Sequence, residues 1–127
     1  MPGTAMMHIG ELAERTELSL RTLRHYDEIG LLEPSGRSEG GFRLYTEEDY
    51  ERLMLIRRMK PLGYSLEQMG DLLRALDAGQ AEGSVGTEAT QLLSEFLTDA
   101  EQRRAKLEKQ LAAADEFIGL LGDRIGT

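Results

Sequence analysis

With 127 residues, 40% of them apolar and 30% charged, the chain has room for one compact domain, or for a small one plus an extended element. It has no cysteine, which excludes disulfide scaffolds, thiolate metal sites and cysteine nucleophiles; it also lacks both a run of ~18 apolar residues and a basic-then-apolar N-terminus, so a cytosolic chain with no membrane partner is expected. The net charge of −8 argues against nucleic acid only at first sight, because residues 1–60 hold 9 Lys/Arg against 11 Asp/Glu while residues 61–127 hold 6 against 12, leaving the first half nearly balanced.

Ile9, Leu12 and Ala13 share a face at spacings of three and four, which predicts a short helix from Ile9 to Arg15. Thr16-Glu17-Leu18-Ser19 breaks that pattern. Ser19 is a good N-cap for a second helix from Leu20 to about Glu28, with Leu23 and Tyr26 as its apolar pair and Gly30 suited to its C-cap. Two short helices joined by a tight turn are a helix-turn-helix candidate. Leu31–Pro34 continues as an apolar strand or extended link. A turn-rich stretch follows, Ser35 to Gly41, and then Phe42-Arg43-Leu44-Tyr45 alternates as a strand does. Residues 36–45 are therefore expected to form a small two-stranded wing, with Gly40-Gly41 supplying the turn.

Thr46-Glu47-Glu48-Asp49 resembles a capping box ahead of Tyr50, Leu53, Met54 and Ile56, and Pro61 ends that third helix near Lys60. Ser65-Leu66-Glu67-Gln68 is a cleaner capping box. It opens a fourth helix with Leu66, Met69, Leu72, Leu73 and Leu76 inward. Residues 78–86 carry three glycines and are expected to be a linker. Beyond it, Leu93, Leu97, Ala100, Arg104, Leu107, Leu111, Ala114, Ile118 and Leu121 are spaced alternately by four and three. This is a heptad seam interrupted only by Arg104. It predicts a dimerisation helix over 87–121, with an antiparallel copy of itself as the economical partner and 122–127 as a short tail. Arg104 could pair across that dimer with Glu101 or Glu108, or simply extend to solvent.

The second helix displays Arg21, Thr22, Arg24 and His25 around its apolar face, where arginine and threonine reach base edges or phosphates in a major groove. Any one of these arginines could equally be a solvated helix residue. Their combination with Arg37 and Arg43 on the wing and Lys60 at the end of the third helix points to double-stranded DNA. Tyr26 and Tyr45 could contact DNA or pack in the core, and Phe42 is read as wing packing rather than as a DNA contact.

Ile9-Gly10-Glu11-Leu12-Ala13, then Ser19 through Leu32, then Gly41-Phe42-Arg43-Leu44-Tyr45 together resemble the DNA-binding domain of the MerR family of bacterial transcription regulators. The resemblance covers roughly residues 7–77, and the terminal seam is similar to the family's dimerisation helix. It implies a mainly α fold: a winged helix-turn-helix followed by a long antiparallel coiled-coil helix. It places Ser19, Arg21, Thr22, Arg24 and Tyr26 at recognition-helix positions. His25 stands where relatives often carry tyrosine or phenylalanine. Arg37, Phe42, Arg43 and Tyr45 match the wing, whose arginines are expected to grip phosphates. The implied activity is that of a homodimer which binds a palindromic promoter element and distorts it so that RNA polymerase can read both promoter boxes.

No cofactor is expected. Without cysteine, the thiolate sensors of mercury, copper, zinc or superoxide are poor guides to an effector, and His8 and His25 have no neighbouring ligand set at metal spacing. About six residues follow the seam, too few for an appended drug-binding domain. A small apolar molecule held by Leu92, Phe96 or Phe117 is one candidate effector; packing is the other role for those side chains, and control by protein concentration the other form of regulation. Two further functional readings are an excisionase-like architectural DNA binder and a coiled-coil interaction adaptor. An enzyme is not expected, because no nucleophile–base pair, phosphate-binding loop or metal triad is apparent.

Overall fold

The computed structural model describes residues 6–82 and 88–126. The chain divides into two compact units, one ending at Arg74 and the other starting at Ala75.

The first unit begins with strand β1, Met7–His8, which runs straight into helix α1, Ile9–Thr16. Helix α2 is Leu20–Glu28. The turn between them is built by side chains. The Thr16 hydroxyl donates to the Leu12 carbonyl at 2.8 Å and accepts from the Leu18 N–H at 3.3 Å. Glu17 takes the left-handed conformation, with φ 60°. Ser19 then caps α2 by accepting from the Thr22 N–H at 3.0 Å. At the far end, the Leu31 N–H reaches the Tyr26 carbonyl and the Gly30 N–H reaches Asp27, with Gly30 at φ 75°. This is the Schellman closure expected of a glycine after the last turn.

The wing has three strands rather than the expected two. β2 (Gly36–Arg37) and β3 (Arg43–Tyr45) pair antiparallel, with Arg37 opposite Arg43. β1 adds to the other edge of β3, with Met7 opposite Tyr45. A two-residue strand offers no periodicity to read, and its partner is far away in sequence. Of the two turn glycines, Gly41 carries the positive φ, 84°, and donates to the Ser38 carbonyl.

Helix α3, Glu47–Met59, opens on the reciprocal box: the Asp49 N–H donates to the Thr46 hydroxyl and the Thr46 N–H to the Asp49 carboxylate. The same carboxylate accepts from the Ser35 hydroxyl at 2.6 Å, which ties the entry of the wing to α3. Pro61 lies in a single 3-10 turn, Lys60–Leu62, closed by Gly63 at φ 86°. Helix α4, Leu66–Glu82, opens on the second box, Ser65 with Gln68. Leu12, Leu23, Leu53, Ile56 and Met69 are fully enclosed, joined by Tyr26, Leu32, Tyr45 and Leu73. Leu66, expected inward, is exposed.

Residues 78–82, expected to be the start of a linker, continue α4; residues 83–87 lie outside the described residues. One glycine does not end the helix; a Cβ built on Gly79 would make ordinary contact with that of Ala89, at 3.7 Å, within the second unit. Helix α5 spans Glu88–Ile125. Its 38 residues make a rod about 57 Å long. It absorbs most of the expected tail, since Gly122 to Ile125 are helical. Leu97, Leu107, Leu111, Ile118 and Leu121 are all exposed on it, as are Arg104 and Ala114, while Leu93 and Ala100 are half-buried. Arg104 pairs with Glu108 on its own helix at 2.9 Å, and Arg103 with Asp99 at 2.7 Å.

Candidate nucleic-acid interface

On α2, residues 21, 24, 25 and 28 recur at the helical repeat, so Arg21, Arg24, His25 and Glu28 share one exposed face opposite the buried Leu23. Together with Thr22 and Tyr26 they form one wall of an open hollow of about 1050 Å³. The other wall comes from Lys60, Tyr64, Ser65, Leu66 and Met69. Lys60 is remote from α2 in the chain, and the fold brings it to the same concavity as the α2 cations. Ser65 caps α4 there, so the positive end of that helix dipole opens beside the same hollow.

The hydroxyls at the start of α2 are already engaged. The Ser19 hydroxyl donates to the Thr22 hydroxyl at 2.9 Å while capping the helix. Tyr26 and Tyr45 are core residues, 4% and 1% exposed, which is the packing alternative of the two considered for each. Burial raises both phenols above their ordinary values. The Tyr45 hydroxyl is enclosed and has no hydrogen-bond partner among the described residues. Phe42 departs from the packing reading: it is 67% exposed, with its ring edge-on to the exposed His8 at 6.5 Å between centroids.

The two wing arginines differ from one another in their partners. The Arg43 Nε donates to the Asp27 carboxylate at 2.7 Å, and both side chains are largely covered. That hydrogen bond pushes the Arg43 guanidinium still further above its ordinary value. Arg37 lies 3.8 Å from the same carboxylate oxygen, is half exposed, and donates to the Gly41 carbonyl at 3.1 Å. Sequence reasoning missed Asp27 altogether, together with Tyr64 and Ser65 as walls of the hollow. The only local hint was an acidic residue on a helix otherwise rich in cations, and its partner lies 16 residues away across the wing.

The unit thus presents a cationic helix face and a braced wing. Known proteins share this construction. The profile described as MerR HTH family regulatory protein matches residues 7–76, and that described as MerR, DNA binding matches residues 50–116. The HTH-type transcriptional regulator ZntR of Escherichia coli (strain K12) is 40% identical over 104 residues, covering 81% of this chain and 72% of that protein. The heavy metal-dependent transcription regulator 2 of Rhizobium meliloti (strain 1021) is 34% identical over 115 residues, covering 91% of this chain and 71% of that protein. Among solved structures, HiNmlR, a MerR family regulator lacking the sensor domain, bound to promoter DNA, aligns at 26% identity with a TM-score of 0.67, covering 95% of this chain and 88% of that one. The chain therefore belongs to the MerR family of helix-turn-helix transcription regulators.

Proposed function

We propose that this protein is a dimeric transcription regulator whose α2 face enters the major groove of a palindromic promoter element, with the wing alongside on the phosphate backbone. The observation that carries the reading is the shared concavity: Arg21, Arg24 and Lys60 converge on it with no ion-pair partner among the described residues. Unpaired arginines on the exposed face of a capped helix are available for base edges and phosphates. HiNmlR, which is bound to promoter DNA, has the same fold over nearly its whole length.

The exposed seam of α5 supports dimerisation. Leu97, Leu107, Leu111, Ile118 and Leu121 form an apolar stripe of a kind that soluble chains cover with a partner. Two copies joined through it give a two-fold reader suited to a palindrome. Distortion of the promoter for RNA polymerase follows as the mode of action. The metal dependence named for the Rhizobium relative is not carried over. The chain has no cysteine, and no group of three His, Asp or Glu side chains among the described residues could hold an ion. An apolar effector remains a proposal; Leu92 and Phe117 are exposed and Phe96 half-buried.

Genomic fragments recovered on the wild-type protein test this function. The expected result is a palindrome upstream of a transcribed gene. Replacing Arg24 with Ala should weaken binding to that fragment by about ten- to a hundredfold and leave the protein folded. Binding to unrelated fragments with no common palindrome, or an Arg24→Ala variant that binds as tightly as wild type, would contradict it.

A further inference from the structure

We infer that Asp27 is a positioning residue that divides the two wing arginines into different tasks, with Arg43 a strut between wing and recognition helix and Arg37 the cation the wing offers to a phosphate. The inference rests on the DNA-binding reading above and goes further, since that reading assigns no role to Asp27.

The register of the sheet creates the need for such a residue. Arg37 and Arg43 sit directly opposite each other on neighbouring strands, so their side chains leave the same face of the wing. Like charges in that position repel. One carboxylate from α2 stands against both. Its bond to Arg43 is short, largely covered and made by the Nε, which gives that cation a close counter-charge. Its approach to Arg37, at 3.8 Å, is too long for a hydrogen bond, and that side chain is half exposed. Asp27, with Glu28 nearby, acts most closely on Arg43, and the geometry leaves Arg37 as the less neutralised of the two cations. The Arg37 bond to the Gly41 carbonyl also fixes that side chain across the wing turn. Asp27 lies on the same helix as Arg24 and His25, so the strut sets the distance between the groove-facing helix and the phosphate-facing wing. Holding two contact points at fixed separation is a source of sequence discrimination, whereas adding loose cations raises affinity for any duplex.

The experiment uses the full chain and two probes: a duplex enriched by the wild-type protein from a random-sequence pool, and a scrambled duplex of the same length. Affinities are measured across salt concentrations. Arg37→Gln should lower affinity for both probes and reduce the salt slope by about 0.9, the value of one phosphate contact. The Asp27→Asn/Arg43→Gln double variant, which removes the strut at unchanged net charge, should leave the slope unchanged while the enriched-to-scrambled ratio falls. Asp27→Asn frees the Arg43 cation, so the slope should steepen and the ratio drop by about tenfold, and Asp27→Glu should restore part of the ratio. A merely structural residue would not steepen the slope. An Asp27→Asn protein with wild-type slope and ratio overturns the inference alone. So does an Asp27→Asn/Arg43→Gln double variant that loses as much slope as Arg37→Gln, a comparison that holds even where Asp27→Asn alone fails to fold. A pool from which the wild type enriches nothing overturns the DNA-binding reading, and this inference with it.

Discussion

Glu17 turns the chain between the two helices of the helix-turn-helix in a conformation that L-residues with a Cβ adopt at a cost of about 1–2 kcal/mol. Its side chain gives back little, since its pairing with Arg57 spans 3.4 Å between exposed groups. Glu17→Gly should therefore raise the unfolding free energy by about 1 kcal/mol, read as a higher midpoint in urea at unchanged slope. A lower midpoint would mean that the ion pair outweighs the backbone. Beside it, Thr16 shows how a residue that merely interrupts an apolar pattern can hold the corner. It is fully enclosed, and its one hydroxyl both donates and accepts. The sequence marks the corner as a break in periodicity. It does not mark which residue twists, because serine, threonine or glutamate can all end a short helix.

At the scale of elements, α1 and α3 are joined by Arg15. Its guanidinium lies 4.0 Å over the Tyr50 ring and is bonded to both oxygens of Glu47. That guanidinium holds the Glu47 carboxyl below its ordinary value of 4.5. A lowered carboxyl stabilises the fold fully above the ordinary value and loses that contribution as pH falls through the lowered one. Glu47→Gln should thus melt slightly below wild type at pH 7, and the two curves should converge in acid as the pH falls below the ordinary value and through the lowered one. A gap that persists in acid would point to packing in place of charge. The helices with their caps, at Ser19, Thr46 and Ser65, were readable because a cap and an apolar period are local signals. The third strand was not, since Met7 finds Tyr45 only after the chain has folded. The same holds for the site. The cations of α2 were visible as a helical face, while the Asp27 bond to Arg43 depends on the wing folding back. Of the expected linker, residues 78–82 continue α4 instead, because a single glycine such as Gly79 lowers helix propensity without ending a helix.

At the scale of the whole molecule, the exposed stripe of α5 is the surface a second copy would cover. Leu107 is the middle member of the nine-residue seam, and in an antiparallel pair it meets its own copy at the two-fold axis. Leu107→Glu would set two carboxylates face to face there. The expected outcome is a halved mass by light scattering at micromolar concentration, together with loss of affinity for a two-site duplex. An unchanged mass would remove the seam as the interface. Folding the seam about Leu107 sets Leu93 against Leu121, Leu97 against Ile118, Ala100 against Ala114, and Arg104 against Leu111. In a parallel pair every residue instead meets itself, and Arg104 would face a second Arg104 across an apolar seam. Two guanidiniums at one level repel, with no carboxylate at a seam position to absorb them. The antiparallel arrangement keeps them two layers apart, and each keeps the Glu108 of its own helix as a counter-charge. In a pair formed through this seam, its single flaw thus weighs against the parallel direction, at a cost in the strength of the coil.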